Sequence, residues 1–292
     1  MEDADTPLFF RVRSATVPPL LSLAPSSWFH INPNPGFPPT HFKNPTTRPW
    51  ALSMQQQYIQ EMSPFYPPRT RTQHLTTFTR PLPAAVTYDL SVPDQVTISV
   101  PACSTWTSEP HWHETHTEYL QILQGRASIM LAGKTKVYGP DDGVVVVERF
   151  AVHEWWRADD KEGELVVREW TEPGDGQKEV FFRMLNSFLM EPRPEKIYRQ
   201  LGFPLSLGEP WIEKWVALVQ LFVIFRELDN WPVLAGTTRQ VDWLNWTITH
   251  AVLWFVSWAG KFLGLEARYL EYLGESTIER GDQKPQGERK DK

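Results

Sequence analysis

"HWHETHTE", residues 111–118, sets His111, His113 and His116 beside Glu114 and Glu118 within eight positions. The whole chain of 292 residues has only 8 histidines, so imidazole is concentrated here. If the segment is extended, side chains alternate between two faces, and His111 and His113 project to the same side. Two imidazoles on one face can grip one ion, and a carboxylate adds charge and a hard oxygen donor. Glu118 follows His113 after an expected bend. His153 closes the run VVVVERFAVH (144–153), at the end of another expected strand. By the same alternation Glu114 is expected to face solvent, and His116 to support a ligand or stand spare. An HxH pair alone marks a solvated strand more often than a metal site. Glu118 and His153 are the candidates for a third and a fourth ligand.

The surrounding sequence is a series of short strands. VTYDLSV (86–92), VTISV (96–100), TEYLQIL (117–123), ASIMLA (127–132), VVVVERF (144–150) and ELVVREW (164–170) are rich in β-branched and aromatic residues. Gly125, Gly133, Gly139, Asp141-Asp142-Gly143 and Asp159-Asp160 punctuate them as turns. Many short strands at close spacing predict an antiparallel barrel or sandwich over 70–175. Upstream, residues 1–69 are Pro-rich, with Pro18, Pro19, Pro25, Pro33, Pro35, Pro38 and Pro39 interrupting any helix or ladder, and are expected to form a largely disordered arm. Met54 opens a more ordinary stretch, MQQQYIQEM, and one hypothesis is that translation starts there.

After Gly176 the texture becomes helical. KEVFFRMLNSFLM (178–190), WIEKWVALVQLFVIFRELDNW (211–231) and VDWLNWTITHAVLWFVSWAGKFLGL (241–265) predict an extension over 176–273, followed by a charged tail, 274–292. From Trp243 to Gly260 there is no Asp, Glu, Lys or Arg. That run reaches the lower edge of a membrane-spanning length. Its Asn, Thr, His and Trp residues favour a helical cap on the barrel, with membrane-surface contact through 211–265 as the next reading.

The totals exclude some classes. A net charge of −6 disfavours nucleic acid as a partner. Cys103 is the only cysteine, so neither an internal disulfide nor a cysteine zinc cluster can form, and it is expected to be a buried small hydrophobe. MEDADTPLFF carries three acids and no unbroken apolar stretch, which predicts a cytoplasmic, non-secreted protein. There is no P-loop and no GxGxxG.

The spacing His111-x-His113, four residues, Glu118, six residues, Gly125 resembles the first motif of the cupin superfamily. Pro140-Asp-Asp-Gly143, a strand, then His153 resembles the second, with Ala151-Val152 where Gly and Pro are usual and Arg157 where an Asn is common. The resemblance covers roughly residues 75 to 172. It implies a mainly β fold, a small jelly-roll barrel with a C-terminal helical extension. It also implies one divalent ion, Fe(II) favoured and Mn, Ni, Zn or Cu able to replace it, held by His111, His113, Glu118 and His153. The broader texture resembles cupin oxidoreductases of fungal secondary-metabolite clusters. The expected function is therefore a metal-dependent oxidoreductase acting on a small apolar, polyketide-like intermediate. The alternatives are a Lewis-acid isomerase, dehydratase or decarboxylase, or a non-catalytic binding barrel. Glu148 and Glu169, on strands, are the candidate catalytic bases. Trp112, Trp155, Trp156 and His116 are expected to wall the substrate pocket, with Trp170 beside them. A homodimer is also expected, because antiparallel edges pair readily.

Overall fold

The computed structural model describes residues 69–158, 163–191, 210–235 and 241–274. The expected arm, except Arg69, the start at Met54 and the charged tail after Gly274 lie outside the described residues. Among the described residues eleven strands form two antiparallel sheets. The first is ordered β1 (Thr77–Arg80), β2 (Val86–Asp89), β3 (Gln95–Val100), β10 (Leu165–Glu172), β5 (Thr117–Gln124), β8 (Val144–Val147). The second is ordered β11 (Trp231–Pro232), β4 (His111–Trp112), β9 (His153–Arg157), β6 (Ala127–Leu131), β7 (Lys134–Tyr138). This mainly β, two-sheet architecture is the one the cupin resemblance implies.

Alternation builds the core. In β3 every second residue, Val96, Ile98 and Val100, is buried, and in β10 the same holds for Leu165, Val167, Glu169 and Thr171. These inward residues meet Leu120, Ile122, Ile129 and Trp155 between the sheets. The turn from β5 to β6 needs Gly125. Its φ is +76°, and a Cβ there would stand 2.8 Å from the carbonyl oxygen of Glu164.

The helices pack on the outer face of the second sheet, and the first of them also turns Lys178 and Phe182 toward the barrel interior. They are α1 (Gln177–Leu189), α2 (Pro210–Glu227), α3 (Trp243–Phe262) and the single turn α4 (Leu270–Leu273). Trp112, Met130 and Val152, which point away from the barrel interior, pack with Val180, Met184, Phe188, Leu221, Ile224, Phe225 and Leu253 in a second core. The extension also adds β11 to the sheet, pairing Trp231 with Trp112 and Pro232 with His111.

Cys103 is exposed, against expectation: the turn after β3 gives it a left-handed φ of 63°, and its thiol faces out of the barrel. Among the described residues no helix is long and apolar enough to cross a membrane. α3 nevertheless shows Trp243, Trp254, Phe255, Trp258 and Phe262 to solvent, each more than half exposed.

Candidate metal centre

Four buried side chains converge inside the barrel. His111, His113, Glu118 and His153 each offer one ligand atom, and these atoms lie within 4.8 Å of one another. The sheet register explains the meeting. His111 on β4 and His153, at the start of β9 rather than the end of a strand, are direct cross-strand partners, their rings 4.1 Å apart. Segment 111–118 is not one continuous strand. β4 ends at Trp112, the chain bends over 113–116, and β5 begins at Thr117, so Glu118 returns from the opposite sheet to face the imidazoles.

Each imidazole is fixed by its far nitrogen. Nδ1 of His111 donates to the Glu109 carbonyl at 2.7 Å, that of His113 to the Asp229 carbonyl at 2.6 Å, and that of His153 to the Ala151 carbonyl at 3.1 Å. A ring nitrogen facing a carbonyl carries the proton, so in the neutral ring Nε2 is the nitrogen that keeps a lone pair. Nε2 of His113 and of His153 are buried and make no hydrogen bond. Yet the His153 nitrogen lies 2.8 Å from one Glu118 oxygen and the His113 nitrogen 3.4 Å from the other. Lone pairs so close to a carboxylate repel unless a cation sits among them. Donor set, tautomers and orphaned nitrogens therefore fit a divalent ion of the first transition row. Burial, followed by the neighbouring His153 and His113, lowers the His111 pKa well below its usual value, which keeps that imidazole neutral.

Lys178 and Asp229, which sequence reasoning missed, complete the centre. Lys178, near the start of α1, is buried with Nζ 2.5 Å from Glu118 Oε1 and 2.5 Å from Glu169 Oε1. Burial works to raise the Glu118 carboxyl, but Lys178 and then His153 outweigh it and hold it well below the usual carboxylate range. Glu169 goes the other way, pushed up to about 7 by burial and by the adjacent Glu118. Asp229, in the turn after α2, braces the bend. Its carboxylate accepts from the backbone of Glu114, Thr115 and His116, from the Thr115 hydroxyl and from His116 Nδ1. No local signal marked either residue, because both reach the site through tertiary packing.

The other expected residues divide. Glu169 points inward, but Glu148 is exposed just past β8, where alternation turns it outward after Val147. His116 lies beside His113 in a side pocket, paired with Asp229 at 2.8 Å and Asp175 at 3.3 Å. Glu114 does face away from the ligands, but it is half-buried rather than solvated, and it receives His250 Nε2 at 2.8 Å and the Trp112 indole. The tryptophans do not wall the main cavity. Trp112 points into the helix layer, Trp155 is sealed in the inner core against Trp106, Trp156 packs toward the helices and Trp170 stacks on Tyr119 outside. Trp106, Tyr88, Phe181, Phe182 and Phe225 line the cavity instead, with His111, Glu169 and Lys178.

No protein-family model matches the chain, and no curated protein does. Parts of it are similar to solved structures. The capsular polysaccharide assembling protein CapF from Staphylococcus aureus is 18% identical over 32% of this chain and 29% of its own, with a TM-score of 0.26. KdgF from Halomonas sp. is 20% identical over 32% of this chain and 85% of its own, TM-score 0.26. The L-ribose isomerase of Geodermatophilus obscurus is 14% identical over 26% of this chain and 49% of its own, TM-score 0.24. The chain thus spans less than a third of the length of CapF and about half that of the ribose isomerase.

Proposed function

We propose that this chain is a metal-dependent enzyme that moves a proton on a small organic molecule, as in isomerisation, dehydration or decarboxylation. The observation that carries the reading is a shared wall: His111 of the ligand set and the buried Glu169–Lys178 pair line one cavity. A divalent ion held by His111, His113, Glu118 and His153 would supply Lewis acidity toward a substrate oxygen. Glu169 takes or returns a proton at its carboxylate. Lys178 holds Glu118 and Glu169 in place by pairing with one oxygen of each. Trp106, Phe181 and Phe182 shield this chemistry from water.

The second reading is an oxidoreductase acting on a small apolar intermediate. It is favoured by the donor set itself, since three imidazoles and one carboxylate suit Fe(II) and leave positions open. Elemental analysis of the purified full chain, beside His113→Ala and His153→Ala, tests both readings. About one ion per wild-type chain, lost in the variants while circular dichroism is unchanged, is expected. Incubating the loaded protein with small keto and hydroxy acids in D2O separates the chemistries. Deuterium uptake at carbon, absent in Glu169→Gln and without oxygen consumption, is the outcome of the first reading. Oxygen consumption without exchange would select the second, and no stoichiometric ion would end both.

A further inference from the structure

Arg80 is a half-buried cation on the inner side of the barrel, and among the described residues no carboxylate pairs with it. It ends β1, two residues beyond the buried Phe78 and on the same face, and it lines the cavity that His111, Glu169 and Lys178 border. Its Nη2 donates to the Tyr88 hydroxyl at 2.5 Å, and its guanidinium carbon lies 5.2 Å from that ring's centroid. Its Nε is buried and has no hydrogen-bond partner. A desolvated guanidinium hydrogen without an acceptor is costly, and an enclosed arginine is normally paired.

Tyr88 repeats the pattern. Its oxygen accepts from Arg80 and also from the Trp106 indole at 3.0 Å. An oxygen that accepts twice has its own proton left to donate. Tyr88 is buried and lines the same cavity. Burial raises its pKa, so the proton stays on it. Two donors, one from β1 and one from β2, thus stand together in the cavity wall. A planar guanidinium and one hydroxyl match a carboxylate, whose two oxygens accept side by side, better than a phosphate, which asks for more donors. Ile98, Trp106, Phe181 and Phe182 line the same cavity.

We propose that the cavity is a binding site for small organic carboxylates, with the carboxylate on Arg80 and Tyr88 and an apolar or aromatic body along Trp106, Phe181 and Phe182. The far end of such a ligand reaches the His111–Glu169–Lys178 wall. The assignment deepens the enzyme reading by naming its substrate class, and it rests on that reading only for what happens at that wall. Arg80 and Tyr88 act in binding and specificity, away from the metal ligands.

The test uses the full-length protein and three probes: benzoate, its neutral isostere benzamide, and inorganic phosphate. Affinities are read by calorimetry and ligand-observed NMR, once after chelation of metal and once after loading with Zn(II). Benzoate is expected to bind in both states, at least about tenfold tighter than benzamide. Arg80→Gln should weaken benzoate by about 10- to 100-fold and leave benzamide unchanged, which removes the preference. Arg80→Lys should recover part of it, and Tyr88→Phe, which keeps the ring packing, should lose part. Thermal melts of all variants check that the barrel stands. Equal binding of benzoate and benzamide overturns the proposal. So does a preference that survives Arg80→Gln, that appears only with Zn(II), or that phosphate abolishes at equal concentration. The enzyme reading fails separately. If the chain holds no metal but benzoate binding still depends on Arg80, the carboxylate site stands without the chemistry.

Discussion

Lys178 is the residue on which the electrostatics of the centre turn. It is the buried cation between two buried carboxylates, Glu118 and Glu169. Replacing it with Met leaves both acids without that partner, and breaking a buried pair in this way costs about 3–5 kcal/mol. Urea denaturation of metal-free Lys178→Met should show a loss of that order. A saturating divalent ion should recover part of it, because the ion then compensates Glu118. An equal loss in both states would mean that the ion and Lys178 do not share that carboxylate. His116 gives the second residue-scale expectation. Burial opposes its charge, but hydrogen bonds to Asp175 and Asp229 outweigh this and raise its pKa to about 9. The folded value lies above the unfolded one of about 6.5. Its stabilisation is therefore complete below about pH 6.5, declines above it, and is gone beyond about pH 9. The melting-temperature gap between wild type and His116→Gln should close over that window, and a constant gap would show that the imidazole acts as a neutral donor. The ligands were legible in sequence because strand alternation and motif spacing are local. Lys178 was not, since a lysine opening an amphipathic helix reads as solvated. Asp229 was not, since it meets His116 across 113 positions of chain.

Helix α3 has its faces reversed. Its span is legible from the uncharged run that begins at Trp243, but its orientation is not. An amphipathic reading turns the tryptophans inward. In the fold, Asn245, Thr249, Leu253, Ser257 and Gly260 are the buried positions, and the aromatics stand outside. Close approach explains the inversion. A Cβ on Gly260 would lie 2.8 Å from Val223 Cγ2, so only a small residue lets α3 rest on α2. Thr249 is satisfied there by the carbonyl of Pro232 at 3.1 Å, which joins the helix to β11. Gly260→Ala should therefore destabilise by about 1–3 kcal/mol through overpacking. Replacing Trp254 or Phe262 with Gln should shift stability by no more than about 0.5 kcal/mol, because both side chains stand mostly in solvent and the ring of Phe262 rests edge-on against the exposed Trp258. Denaturant midpoints of these three variants decide the matter. A large loss at Trp254 or Phe262, with none at Gly260, would mean that the aromatic face is the packed one.

At the scale of the molecule, the helical extension and the barrel together build the candidate metal centre. Composition divides the chain near Gly176, where strand-rich sequence gives way to helix. Interactions cross that line at every level. Lys178 from α1 grips Glu118 of β5, Asp229 from the turn after α2 braces residues 113–116, and β11 covers the edge of β4 beside His111. Trp112, Met130 and Val152 lose their apolar cover if the helices are removed. A fully buried Trp with two aliphatic neighbours represents several kcal/mol of burial, at roughly 1.5–3 kcal/mol per large side chain. A chain ending at Gly176 would also free an unpaired strand edge, which invites self-association. Such a chain is expected to lack a cooperative melt, to bind a hydrophobic dye, and to hold no stoichiometric metal even after reconstitution. The decisive comparison is with Asp229→Ala in the full chain. That variant keeps the helices and the second core but removes the carboxylate that fixes the 113–116 bend. It should fold and bind metal about 10- to 100-fold more weakly, the range found when groups orienting metal ligands are lost. If the shortened chain melts cooperatively and binds one ion as tightly as the full chain, the barrel builds its own centre and the helices are an addition to it.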